Sequence, residues 1–328
     1  MRAVVLTEHG DPDVLTVADV PTPEPGPEEV LVAVRATALN RADVLQRKGF
    51  YPEPGPSRDH EIPGMEVAGT VAGVGPRAAA WQVGDEVMGI VSGGGYAERI
   101  AVHERQLMAV PTEVGLADAA AIPEVWITAW DALVVQGGFT SGSTALVHAG
   151  ASGVGSAAIQ LGKALGGRVV TTASTTKLEA CRGFGADVVV DYTAGDFVES
   201  AWEATGGEGV DVVLDVVGGD YLARNIKALR TGGTIVQVGV MGGGKAQIDL
   251  GSLLPKRAHL IGTVLRARPL EEKIAVTQRF AREVLPFFSS GAVHPVIDSR
   301  YDLDHIADAH RHMEENANVG KILIDVAS

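Results

Sequence analysis

The stretch Ala145-Leu146-Val147-His148-Ala149-Gly150-Ala151-Ser152-Gly153-Val154-Gly155 decides how the rest of this chain is read. Residues 145–149 are a short apolar run of strand composition. Three glycines follow at 150, 153 and 155, and apolar residues then recur at Val154, Ala157, Ala158 and Leu161 with helical spacing. Strand, glycine turn and helix in that order is the context a dinucleotide fingerprint requires. Gly150 permits the tight turn, Gly153 keeps the backbone open to a pyrophosphate, and Gly155 lets helix and strand approach. The helix N-terminus then offers N–H groups and a partial positive charge to phosphate. Ser152 stands where the usual pattern has a second glycine, so the spacing alone is weaker than its context. The competing reading is a glycine turn without a ligand, and the elements downstream argue against it.

Those elements alternate. Strands are expected near 144–149, 168–172, 187–191, 210–216, 233–239 and 258–265, with helices near 153–165, 176–184 and 221–229. Six strands with intervening helices suit a doubly wound parallel sheet, giving an α/β fold class and a nucleotide-binding domain over 123–266. Upstream, residues 1–122 read as strands and turns without a βαβ rhythm: Ala3 to Leu6, the β-branched run Val30 to Val34, Val67 to Val74, and a turn through Val83-Gly84-Asp85-Glu86-Val87. An irregular, mostly antiparallel domain is expected there. A helix over Glu271 to Phe288 and a last strand at Ile322 to Val326 make a tail too short to fold alone, so 267–328 is assigned to the first domain.

Composition narrows the function. The 328 residues are 46% hydrophobic, enough for large cores, and carry a net charge of −14, which disfavours nucleic acid as a partner. The N-terminal apolar run is too short for a signal peptide, and no stretch approaches a bilayer span, so a cytoplasmic protein without a membrane partner is expected. Cys181 is the only cysteine, which excludes an internal disulfide and any multi-cysteine metal site. It has the spacing of a helix residue packed with Leu178 and Phe184, a small hydrophobe rather than a nucleophile. His305, His310 and His312 are expected on a solvated helix face.

The end of the second strand speaks to the cofactor. An NAD site places Asp or Glu about 20 residues past the glycines to hold the ribose 2′-hydroxyl. Here the residues are Thr172-Ala173-Ser174-Thr175-Thr176-Lys177, with hydroxyls and a cation in place of the acid. Ser174, Lys177 and Tyr192 suit a 2′-phosphate, so NADPH is expected. The bland alternative for Lys177 is an ordinary solvated lysine.

The chain resembles the zinc-free quinone-oxidoreductase branch of the medium-chain dehydrogenase/reductases, in the subgroup of tumour-suppressor-inducible NADPH quinone oxidoreductases. The resemblance runs end to end. It is carried by Ala38-Leu39-Asn40-Arg41-Ala42-Asp43, Val83 to Val87, Ala119-Ala120-Ala121-Ile122-Pro123 with Thr128-Ala129, Val147 to Gly155, Val240 to Gly244, Leu265-Arg266-Ala267-Arg268 and Val319-Gly320-Lys321-Ile322. It implies a GroES-like catalytic domain beside the Rossmann sheet. Zinc-dependent relatives have a ligand cysteine where Asn40 stands and a ligand histidine where Met65 stands, so no metal is expected.

By the same resemblance, Asn40 and Thr128 lie near the nicotinamide and Gly150, Ser152, Gly153, Val154 and Gly155 line the pyrophosphate. Gly239, Val240, Leu265, Asn318 and Lys321 complete the nicotinamide end. Tyr51, Ser152 and Asn40 are the implied active-site polar groups, with Tyr51 either a proton donor or a wall that stacks on the acceptor. Without a Lewis acid, hydride should go to an acceptor already electrophilic, such as a quinone or a conjugated enone. Rival readings are an enone or enoyl reductase and a non-catalytic NADPH-binding protein. Relatives pair the last strand of the cofactor sheet with its symmetry mate, so a homodimer is expected.

Overall fold

The computed structural model describes residues 1–54 and 60–327. The chain divides into two compact units, Met1–Ile127 with Leu265–Ser328, and Thr128–Val264.

The second unit holds a six-stranded parallel sheet. From edge to edge its strands are Val188–Asp191, Arg168–Ala173, Thr144–Val147, Val210–Asp215, Leu229–Gln237 and His259–Gly262. In chain order this is third, second, first, fourth, fifth, sixth, the doubly wound order whose reversal point lies between the first and fourth strands. The strands are near-continuous Val, Leu and Ile runs because both faces are covered, and Leu146, Val170, Val213 and Ile235 are fully buried. The expected positions hold within a few residues, and the glycine turn leaves the first strand beside the reversal point. The short helix Leu253–Lys256 lies outside the expected positions, and so does the helix Phe197–Ala204. Its signal is Asp196, whose carboxylate accepts from the Val198 amide at 2.9 Å, followed by inward-facing Phe197 and Ala201.

The first unit is built on a seven-strand mixed sheet. Its path runs Ile297–Asp302, Lys321–Asp325, Glu29–Leu39, Glu66–Val74, Glu86–Ile90 and Leu107–Ala109, with Arg99–His103 also pairing with Glu29–Leu39. All pairs are antiparallel except the first. Arg2–Leu6 and Leu15–Asp19 form a separate hairpin. The register fixes a meeting point. Ile322 lies opposite Leu39 and Thr37 opposite Val67. Residues 40, 66 and 321 therefore fall together at one end of three neighbouring strands.

One helical expectation needs correction, and one further helix has an unusual end. The single helix over 271–288 is two, Leu270–Glu283 and Leu285–Ser289, broken at Val284. Pro286 lacks the N–H that would continue the first helix and its ring would crowd the carbonyl of residue 282. The α-helix Pro123–Trp130 runs on as a wider π-helical turn to Gln136. Among the described residues no helix is long and apolar enough to cross a membrane.

Candidate active site

At the glycine turn, the helix Gly153–Ala164 begins at Ser152, whose hydroxyl accepts from the Gly155 amide at 3.0 Å. Ser152 is thus a helix cap, its hydroxyl proton still able to donate elsewhere. Gly153 and Val154 are the first helical residues, whose amides face out of the helix end. Gly150 and Gly155 are required by packing as well. A Cβ on Gly150 would lie 2.1 Å from Thr171 Oγ1, and one on Gly155 would lie 2.3 Å from the Ala149 carbonyl. Ala149 itself is left-handed at φ 55°, a conformation in which an alanine must be held.

Beyond the second strand, Ser174 opens a single turn, Thr175–Lys177, closed by the Lys177 amide bonding the Ser174 carbonyl at 2.9 Å. The amide of half-exposed Tyr192 bonds the Ala173 carbonyl, which brings Tyr192 beside this turn. The second strand ends without an acid, as read from the sequence, but the third supplies one. Asp191 accepts from Thr175 Oγ1 at 2.5 Å, Thr193 Oγ1 at 2.6 Å and the Thr193 amide at 2.9 Å, and these bonds hold its carboxyl below the usual range. Its oxygens are engaged by threonines before any ligand arrives. Gly239 and exposed Val240 lie on the loop after the fifth strand, and buried Thr128 lies on the helix Pro123–Trp130.

In the first unit the three strand ends make a buried ionic cluster. Lys321 Nζ donates to Glu66 Oε1 at 2.8 Å, to Asn40 Oδ1 at 2.6 Å and to the Leu39 carbonyl at 3.0 Å. Asn40 Nδ2 in turn donates to Glu66 Oε1 at 2.9 Å, and Glu66 Oε2 accepts from the Glu124 amide at 2.8 Å. Lys321 is 3% exposed and Glu66 not at all. All three ammonium protons have acceptors, so the pair is complete. Sequence reasoning named Asn40 and Lys321 and missed that Glu66 joins them; the strand register was the missing information. Asn318 Nδ2 bonds the Gly320 carbonyl at 2.9 Å, fixing the turn into Lys321.

Tyr51 sits against a second buried cation. The Arg266 guanidinium lies 5.2 Å from the centre of the Tyr51 ring. It is anchored by Nη2 to Gln46 Oε1 at 2.7 Å and by Nε to the Ser92 carbonyl at 2.6 Å. The Tyr51 hydroxyl bonds no described residue. Burial raises its pKa, and Arg266 partly opposes the rise. Leu265, beside Arg266, is buried. Arg266 belongs to the segment Leu265-Arg266-Ala267-Arg268, and its burial against Tyr51 gives it a role that the segment alone does not reveal.

The side chains at the zinc position of related enzymes do not suit that metal. Asn40 offers an amide already bonded on both ends, Met65 a buried thioether, and the carboxylate of Glu66 is paired with an ammonium. A second cation would be repelled by Lys321. Among the described residues no three His, Cys, Asp or Glu side chains are grouped to hold a metal ion.

Of the tail histidines, His305 is exposed, but His310 is fully buried, which corrects the expected solvated face. Its ring meets Tyr96 edge-on at 6.2 Å, neither nitrogen has a hydrogen-bond partner among the described residues, and burial pushes its pKa down to about 3. Cys181 is buried, and desolvation pushes its thiol up to about 11, so it is inert as a nucleophile. Asp43 is also buried, its carboxyl pushed up to about 6 by burial although the Asn40 amide, at 2.8 Å, and the Tyr96 hydroxyl, at 3.1 Å, bond it.

Comparison with known proteins agrees with this architecture. Residues 26–112 match the alcohol dehydrogenase GroES-like domain and residues 153–282 the zinc-binding dehydrogenase family. An NADPH-dependent alkenal/one oxidoreductase of Arabidopsis thaliana chloroplasts is 31% identical over 341 residues, covering 99% of this chain and 79% of the relative. A solved NAD-dependent alcohol dehydrogenase superposes with a TM-score of 0.87 at 33% identity over the full length of both chains. The quinone oxidoreductase of Pseudomonas syringae superposes at 0.89 with 28% identity over 99% of each. With a doubly wound sheet and a glycine turn at its reversal point in one unit and a mixed, mostly antiparallel sheet in the other, the chain belongs to the medium-chain dehydrogenase/reductase superfamily, oxidoreductases that bind a nicotinamide cofactor.

Proposed function

We propose that the protein is an NADPH-dependent, metal-independent oxidoreductase acting on quinones. The observation that carries this is the Lys321–Glu66–Asn40 cluster, an ion pair closed on itself where zinc-dependent relatives hold their metal. Without a Lewis acid to polarise a simple carbonyl, the acceptor must accommodate charge itself, and a quinone does. Bound NADPH would supply the hydride. Gly150 to Gly155 would hold its pyrophosphate, and Ser174, Lys177 and Tyr192 its 2′-phosphate; the engaged state of Asp191 supports that choice over NADH. Thr128, Gly239, Val240, Leu265 and Asn318 would line the nicotinamide end.

Tyr51 would face the acceptor, its hydroxyl donating a proton to the oxygen that gains charge while Arg266 steadies the ring. Asn40 acts through Lys321 and Glu66, since its amide is already committed. The nucleotide-binding domain would span 123–266, and 1–122 with 267–328 the catalytic domain. The edge strand His259–Gly262, with Leu250, Leu254, Leu260 and Val264 exposed around it, supports a homodimer through a continuous sheet. An enone acceptor is the second reading, favoured by the name of the Arabidopsis relative. Steady-state oxidation of NADPH and NADH, each with an ortho-quinone and an enone, tests both. Turnover of NADPH with the quinone is expected; turnover with the enone alone moves the acceptor, and binding without turnover overturns the enzymatic reading.

A further inference from the structure

Behind the glycine turn lies a chain of buried polar groups whose donors and acceptors are fixed from one end. Asp215, at the end of the fourth strand, accepts on Oδ1 from the amides of Val217 at 2.6 Å and Gly218 at 2.9 Å. On Oδ2 it accepts from Asn225 Nδ2 at 2.9 Å. A carboxylate only accepts, so the NH2 of Asn225 faces it and Asn225 Oδ1 faces away, 2.7 Å from His148 Nε2. That nitrogen must therefore carry the proton. Burial holds the His148 imidazole below its ordinary pKa, so the ring is neutral and Nδ1 is bare. Nδ1, at 3.0 Å, then takes the hydroxyl proton of Thr172, which leaves a Thr172 lone pair facing the Ala149 amide at 3.4 Å. Edge-on contacts with Phe197 and Tyr221, both at 4.8 Å, keep the imidazole from rotating.

The two ends of this chain are the segments that matter for a nucleotide. At one end is Ala149, the left-handed residue that opens the glycine turn, whose carbonyl accepts from Ser152 at 2.9 Å. At the other is the loop 216–219, on which the 239–243 loop rests through Met241 N to Val216 O at 3.2 Å and Gly242 N to Val217 O at 2.7 Å. We propose that Thr172, His148, Asn225 and Asp215 are positioning residues, a buried relay that holds the glycine turn and the 239–243 loop in their nucleotide-binding geometry. The proposal rests on the cofactor reading above and deepens it. None of the four need touch the nucleotide; they act through Ala149 and the loop.

Thr172→Val is the decisive variant, because valine keeps the shape and strand preference of threonine and removes only the hydroxyl. NADPH binding is followed by nucleotide fluorescence, independently of any acceptor. Amide hydrogen exchange is measured across 149–155 and 215–219 in Thr172→Val and in Asn225→Leu. We expect Kd to rise about fivefold or more in Thr172→Val, the size one lost hydrogen bond carries, and Thr172→Ser to restore it. Asn225→Leu is expected to speed exchange in the glycine turn as well as beside Asp215. If the wild type binds neither NADPH nor NADH, the cofactor reading falls and the relay with it. If the wild type binds and Thr172→Val binds equally well, or exchange in Asn225→Leu changes only at 215–219, the relay alone is refuted.

Discussion

Replacing Lys321 by methionine keeps the length and apolar stem of the side chain and removes its ammonium. In the native structure that ammonium is 2.8 Å from Glu66 Oε1, with 3% and 0% of the two side chains exposed. Glu66 would keep its bonds to Asn40 Nδ2 and the Glu124 amide but lose the one cation that contacts it among the described residues. Removing one member of a buried pair typically costs about 3–5 kcal/mol, because the other charge is left uncompensated. The Asn40 amide and the Leu39 carbonyl lose a donor too, which puts Lys321→Met at the upper end of that range. Glu66→Gln with Lys321→Met removes both charges and should recover about 2 kcal/mol or more of the loss. Urea unfolding of the wild type, both single variants and the double variant gives the coupling energy. Additive single costs, or a Lys321→Met cost of less than about 1 kcal/mol, would refute the claim that this pair neutralises the site.

The buried His310 gives stability a pH dependence of known sign. Its folded pKa, about 3, lies below its ordinary 6.5, so the stability it permits is present above 6.5 and is lost as pH falls toward 3. Between pH ~7.5 and ~5 the wild type should lose about 2 kcal/mol that His310→Leu does not, and parallel stability curves would contradict this. Asp43 acts in the opposite sense, its raised carboxyl costing stability as pH climbs through about 6, which is why the comparison must be between variants. Lys177→Ala should raise KM for NADPH about tenfold and leave KM for NADH nearly unchanged; equal changes would remove the 2′-phosphate assignment. Exhaustive chelation should leave turnover intact, and a loss restored by zinc would reverse the reading of the Lys321 cluster. Tyr51→Phe should lower kcat by about 100-fold if the phenol donates the proton, whereas a twofold change would reduce Tyr51 to a wall of the cleft.

The parallel sheet and its glycine turn were legible in the chain because local rules write them. Apolar runs of strand length, glycines where a turn and a helix crowd together, and hydroxyls with Lys177 in place of an acid are properties of neighbouring residues. The Asp196-capped helix was equally local and was overlooked, and Pro286 marked a break that periodicity alone read through. What the sequence could not decide were meetings between distant residues. Residues 40, 66 and 321 make one ionic cluster only because an antiparallel register sets Ile322 against Leu39 and Thr37 against Val67. Asp191 reaches Thr175 only because the third strand lies beside the second. His310 looks like a surface histidine in a polar helix, and is buried because its face of that helix packs on Tyr96. Composition and spacing act over a few residues, whereas burial and charge pairing depend on which strands become neighbours, and that is settled only when the whole chain packs.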